Sequence, residues 1–222
     1  MNVHSKWPCL DLEIHVASAP EPSRKERERL QHRQEILSAA LQLFAEKGFH
    51  NVSMQEIAAA AQFATGTLYN FFPSKEDLFF ELLAATADAG LDLVLPALEG
   101  TDDERNKLSL FIRSHERIVR EQAVALRLYL LESRGWCLPG PKVEAKKKEI
   151  DARVTSRLSN VIAAGIRKGL FNDIDPVVAA KCLSAVLESL ILVAAGDSQV
   201  ADLPANLEKV EAVFFKGLVR QT

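Results

Sequence analysis

The chain has 222 residues, 48% hydrophobic and 26% charged, with a formal net charge of −3. That supports a real core in one or two domains and excludes a polycation that coats nucleic acid, so any nucleic-acid face must be a local patch. Three widely spaced cysteines, Cys9, Cys137 and Cys182, argue against a disulfide framework and a zinc site, and for a reducing, cytoplasmic setting.

Residues 1–23 have no basic segment followed by a long apolar run. They read as a flexible leader ending in "APEPS" rather than as a signal peptide. The first firm helix carries one apolar stripe, Ile36, Ala39, Ala40, Leu43 and Phe44. Gly48 supplies a left-handed stop, with Phe49 folding back on the last turn. "SMQE", Ser53 to Glu56, is a capping box opening a short helix with Ile57, Ala58 and Ala61 inward. A tight turn at Gln62–Ala64 leads to a second short helix, from about Thr65 to Phe72. Leu68 and Phe72, four apart, point to the core. Thr65, Thr67, Tyr69 and Asn70 are left nearer the outer face, and no charge occurs from Phe63 until Lys75.

In "PSKEDLF" Ser74 caps and Asp77 takes the return role for a long helix with Leu78, Leu82, Leu83 and Leu91. Thr101 and Glu104 read as a third capping box, opening a helix through Leu108, Phe111, Ile112 and Ile118. "VALRLYLLESR" is a further helical piece and "GWCLPGP" a loop. A helix with Ile150, Val154, Leu158, Val161 and Ile162 stops at Gly169. Asp175 caps the next, with Pro176 in its first position, and "PANLEKVEAVFFKGLV" makes the last. The stretch Leu183–Ala195 is broken by Ser184, Glu188 and Ser189 and reads as too short and polar to span a bilayer. The predicted fold is all-α, with about nine helices. Residues 24–73 are expected to form a three-helix, helix-turn-helix domain and residues 74–222 a larger helical domain.

Two short helices about a tight turn make a helix-turn-helix. "LFAEKGF", the "S-x-x-E-I-A" pattern, "G-T-L-Y-x-x-F" and "SKEDLF" together resemble the DNA-binding domain of the TetR family of bacterial transcriptional regulators, over about residues 33 to 83. The distal "GLF…DIDPVVAA" is similar to that family's entry into its eighth helix. Members often have Gly where Gln62 stands and Ser where Ala64 stands. Loss of that Ser weakens the cap by about 1 kcal/mol.

Thr and Asn read base edges and thymine methyls without charge, so Thr65, Thr67 and Asn70, with Gly66 beside them, are the expected base-reading set. The resemblance implies that Tyr69, Lys75 and Ser53 contact the DNA backbone. "RKERERLQHR" supplies further positive charge, in Arg24, Lys25, Arg27, Arg29 and Arg33, or is simply a solvated helix face. Phe111, His115, Tyr129 and Trp136 either line an effector pocket or belong to the core. Cys137 is an inert thiol or an oxidant sensor. Leu183, Leu187, Leu190, Phe214 and Leu218 are expected to form a dimer interface, because Ala180–Ala195 is apolar on nearly all sides. The resemblance implies a repressor that a small hydrophobic or amphipathic effector releases from a palindromic operator. Expected partners are double-stranded DNA, a second copy and the effector, with no membrane, metal or cofactor. No catalytic constellation stands out, so an enzyme is not expected. An activator, an interaction module without operator binding, and an enzyme with a buried small-molecule site stay open.

Overall fold

The computed structural model describes residues 23–134, 141–196 and 202–219. Among these residues lie α1 (Arg24–Lys47), α2 (Met54–Ala60), α3 (Thr65–Phe71), α4 (Lys75–Val94), a 3-10 turn (Leu95–Leu98), α5 (Glu104–Arg134), α6 (Pro141–Arg167), α7 (Pro176–Gly196) and α8 (Leu203–Leu218). No strand occurs among them; a single backbone bridge pairs Phe171 with Val219. The fold is all-α, as predicted, with eight helices instead of about nine. The two middle pieces are one helix, α5, kinked at Gln122 (φ −126°, ψ 21°).

Local chemistry sets most boundaries. Ser23 caps α1 through a reciprocal box with Glu26, so the helix begins well before its first buried residue, Ile36. Gly48 ends it at φ 78°. The cap of α5 is Asp103, whose carboxylate accepts from the Asn106 N–H at 2.8 Å, and not Thr101. At the start of α7 the Asp175 carboxylate accepts from Val177 and Val178 N–H at 2.8 and 3.1 Å.

Two apolar clusters form. One joins α1, α2 and α3 through Ile36, Phe44, Phe49, Ile57 and Leu68, and it takes in Leu78, Phe79 and Leu82 from α4 and Leu128 from α5. The other fills the larger body, from Leu91 and Val94 of α4 through Phe111, Leu158, Leu183 and Leu207. The first half of α4 therefore belongs to the helix-turn-helix head and the second half to the body.

Helix α7 packs one face on α5 and α6, where Ala180, Leu183 and Leu187 are buried. Its other side leaves Val178, Val186 and Val193 exposed. Over Pro176–Ala195 it has 20 residues at a mean hydropathy of 2.1, long and apolar enough to cross a membrane by length and composition. The shorter count from Leu183 missed this, because Pro176–Cys182 continues the same helix.

The α6–α7 connection depends on a close approach. The Phe171 ring lies on Gly165, where a Cβ would stand 2.1 Å from ring carbons. Leu170 N–H closes on the Gly165 carbonyl at 2.9 Å. Gly165→Ala is therefore expected to push Phe171 out of the body core and lower stability by about 2 kcal/mol, as overpacking does. Urea unfolding checks this; an unchanged midpoint would exclude the close approach.

Candidate nucleic-acid interface

The turn into α3 is built from α2 outward. The Ser53 hydroxyl accepts from Glu56 N–H (3.2 Å) while the Glu56 carboxylate accepts from Ser53 N–H (2.9 Å). Lys47 at the end of α1 adds an ion pair to Glu56 at 2.7 Å. The Lys47 ammonium and then the Ser53 donors hold the Glu56 carboxyl down to about 2. The chain then reverses at Gln62 with φ 62°, a left-handed conformation in a residue with a Cβ. Phe63 N–H closes the turn on the Ala58 carbonyl at 2.8 Å. Ala64 occupies the cap of α3 with no side-chain hydrogen bond.

Helix α3 is two turns long and has a sharp inside and outside. Leu68 and the following Phe72 are buried. Tyr69 is 46% exposed, Gly66 and Asn70 are also exposed, and Thr65 and Thr67 are half-buried. The ring of Tyr69 is thus outside the core. Hydroxyls, an amide and a phenol on one outward face give donors and acceptors at short reach with no net charge.

The other three expected DNA contacts are committed to the fold. Arg33 forms a two-pronged ion pair with Glu81 of α4, and its guanidinium sits 4.6 Å from the Phe72 ring centroid. The Lys75 ammonium donates to the carbonyls of Phe49 (2.8 Å) and Val52 (2.9 Å) and lies 4.4 Å from the Phe49 ring. Two of its three N–H groups are spent there. The Ser53 hydroxyl donates to Glu56 at 2.9 Å. These side chains hold the head together. The partners of Arg33 and Lys75 lie up to 48 residues away in sequence.

In the body, Phe111 and His115 come together, with ring centroids 4.8 Å apart. Both are buried. His115 Nδ1 is 2.8 Å from the Phe111 carbonyl, which makes it the donor of the neutral ring. Burial pushes the imidazole down to about 4. Trp136, Cys137 and the Tyr129 side chain lie outside the described residues. Sequence reasoning passed over Gln122, the buried amide at the α5 kink. With the amide turned in the orientation that satisfies both groups, its nitrogen donates to the Thr86 carbonyl (3.1 Å) and its oxygen accepts from Gly90 N–H (3.2 Å), both on α4. The signal was a polar residue between Ile118 and Ala125 on the buried stripe of α5.

Leu183, Leu187 and Leu218 are buried in the chain's own core, and Leu190 and Phe214 pack partly against it. The surface left open lies on the opposite side of α7 and on α8. It carries Val178, Cys182, Val186 and Val193, with Val213 of α8 71% exposed. Leu183, Leu187 and Leu218 are thus buried within the chain itself, while Leu190 and Phe214 keep part of their surface open beside the valines.

Two predictions follow from this geometry. Gln62→Gly removes a left-handed strain of order 1 kcal/mol, and Ala64→Ser restores a cap worth about 1 kcal/mol. Each should raise the melting temperature by roughly 2–4 °C, read by calorimetry. For His115, the folded value lies below the unfolded 6.5, so its neutral form supports folding above that pH. That support declines as pH falls from 6.5 towards 4, by on the order of 1 kcal/mol per unit. Denaturant unfolding of His115→Gln across that range should show the slope removed.

Residues 36–82, which span α2, α3 and parts of α1 and α4, match the family model described as bacterial regulatory proteins, tetR family. The HTH-type transcriptional regulator UidR of Escherichia coli K12 is 27% identical over 186 residues, covering 84% of this chain and 88% of that protein. The crystal structure of the transcriptional regulator FadR from Bacillus subtilis in complex with stearoyl-CoA superposes with a TM-score of 0.69 at 23% identity, covering 82% and 97% of the two chains. A putative transcriptional regulator from Saccharomonospora viridis, solved in complex with choline, gives 0.72 at 22% identity over 86% and 100%. The head's motif, the relatives aligned over most of their length and the shared all-helical fold agree: residues 36–82 form a TetR-family helix-turn-helix head, on a chain similar over most of its length to helix-turn-helix transcriptional regulators.

Proposed function

We propose that the protein is a homodimeric, cytoplasmic repressor that reads a palindromic operator with α3 and leaves it when a small apolar or amphipathic molecule enters the body. The outward face of α3 carries this reading. Thr65, Gly66, Thr67 and Asn70 stand at the position from which a short helix meets base edges, and the exposed Tyr69 phenol meets a phosphate. Leu68 and Phe72 lock the same helix from behind.

The open valine face of α7 and α8 supports a two-fold partner. An apolar helix buried on one side and exposed on the other is completed by a second copy more economically than by lipid, since Lys181 and Glu188 interrupt its exposed surface. Two copies would present two reading heads, as a palindrome requires. The effector class rests on the body core, which is apolar apart from Glu104, His115 and Gln122 on α5. The relatives solved with stearoyl-CoA and with choline support a body that admits organic ligands.

Selection of bound DNA from a random pool should enrich a two-fold symmetric site. Thr65→Ala and Asn70→Ala should change base preference at defined positions. Equal losses on selected and random DNA would remove the base-reading assignment. Val186→Glu combined with Val213→Glu should give a folded monomer with lost operator affinity by sedimentation, whereas Leu187→Glu should unfold the chain. Thermal shift across acyl-CoA, neutral apolar, choline and sugar compounds should find stabilisation and DNA release among the apolar or amphipathic ones. Release by sugars or metal ions alone would exclude this effector class.

A further inference from the structure

Helix α1 continues for twelve residues ahead of Ile36, its first buried position, and nothing in the head's core requires residues 24–31, which are all exposed. The extension is held stiffly. Ser23 and Glu26 cap it, and Arg33, one turn before the core, is stapled to Glu81. It is also aimed. His32 packs edge-on against Phe63 in the turn before α3 (5.1 Å between ring centroids) and faces Phe71 at its end (6.5 Å). The side of α1 that carries His32 is therefore the side of the reading helix.

The charges on the extension sort by face. Lys25, Arg29 and His32 follow the i, i+4, i+7 spacing that puts them on one stripe. The two carboxylates are engaged elsewhere, Glu26 with Ser23 and Glu28 with Arg24 at 2.9 Å. Lys25 and Arg29 have no ion-pair partner among the described residues. Seven residues of helix carry that stripe about 10 Å beyond the contact with Phe63 and Phe71.

We propose that the first two turns of α1 form a second DNA grip, in which Lys25 and Arg29 hold phosphates flanking the half-site read by α3. The inference rests on the DNA-binding reading above. The stripe is complementary to a duplex that carries one negative charge per about 1.7 Å of its axis. The stripe has no base-reading groups, so it adds affinity and orientation without sequence preference. It also supplies the cations that α3 lacks and that Arg33 and Lys75 spend inside the fold.

The test uses the full chain and its selected operator in two lengths, one trimmed to the half-sites and one extended at each end by about one helical turn. Anisotropy gives Kd against salt. Lys25→Gln with Arg29→Gln should lower the salt slope on the extended probe by about two per chain and leave base preference unchanged. The trimmed probe should lose less. Lys147→Gln with Lys148→Gln removes the same charge from exposed α6 sites and should leave the slope as in the wild type. A wild-type slope for the α1 variant on the extended probe overturns the proposal, as does an equal loss from the α6 variant. Circular dichroism confirms that α1 stays helical. If Asn70→Ala abolishes binding while the α1 variant is indistinguishable from wild type, the second grip fails alone. If the wild-type chain enriches no DNA, the grip falls together with the reading beneath it.

Discussion

The Phe44–Phe49–Phe79 packing is the contact on which the rest of the molecule depends. Phe79 of α4 stands 5.3 Å from Phe44 of α1 and 4.7 Å from Phe49 in the turn after it, ring centroid to ring centroid. All three rings are buried. Removing one such ring costs about 3–5 kcal/mol, so the head does not separate from the first half of α4 under any ordinary load. Glu81 on the same helix holds Arg33, and Lys75 ties down the carbonyls of the Phe49–Val52 turn. The second half of α4 is fixed as firmly in the body, through Leu91 and Val94. One helix thus has two owners, and any tilt of α4 relative to the body carries the reading helix with it.

The body meets α4 through polar contacts as well as apolar ones. Lys142 pairs with Asp77 at 2.8 Å, near the start of α4, while Lys146 and Arg153 share Asp88 at 2.9 and 3.1 Å two-thirds of the way along. Gln122 adds two hydrogen bonds to the α4 backbone. The kink at Gln122 also redirects the end of α5, so that Leu128 enters the core of the head. These attachments are of different kinds. The aromatic contacts within the head are buried and non-directional, whereas the ion pairs along α4 are partly exposed and individually worth little. A molecule that shifts α5 or α6 meets less resistance in the second set than in the first.

Much of this was legible in the sequence, and the failures share physical causes. The Ser53 box, the inward Leu68 and Phe72, the Gly48 stop and the Asp175 cap depend on neighbours within a few residues, and all stand where the pattern placed them. The Ser23–Glu26 box has the same signature and was passed over because the preceding prolines suggested a leader. Local motif reading could not see that Arg33 and Lys75 also have partners within the fold, Glu81 and the Phe49 and Val52 carbonyls, because these are distant in sequence. The face of α7 failed for another reason. A helix that is apolar nearly all round has no polar side to orient it, so Leu183 and Leu187 and the valines opposite are equivalent until the body is assembled. At Gln122 the two pieces read from the sequence meet in a kink, and because helical period continues on both sides the chain is one bent helix there.

The neutrality of α3 now has a structural reason. Cations placed on phosphates add affinity without sequence preference, so keeping them off α3 leaves that helix to position-dependent contacts. Here the cations nearest the head are divided between two tasks. Arg33 and Lys75 stabilise it, and Lys25 and Arg29 lie on a stiff extension to one side. Sequence preference is left to hydroxyl and amide groups, whose hydrogen bonds depend strongly on position. Such a surface is sensitive to placement. A displacement of the head by an ångström or two breaks the base contacts while the flexible cation side chains can still follow the backbone. Because packed cores shift between discrete arrangements and do not deform continuously, the proposed function needs only a small tilt of α4 to convert specific binding into weak, sequence-independent binding. In the proposed repressor, release would then require no unfolding of the head, only a body state in which the two heads no longer match the spacing of the half-sites.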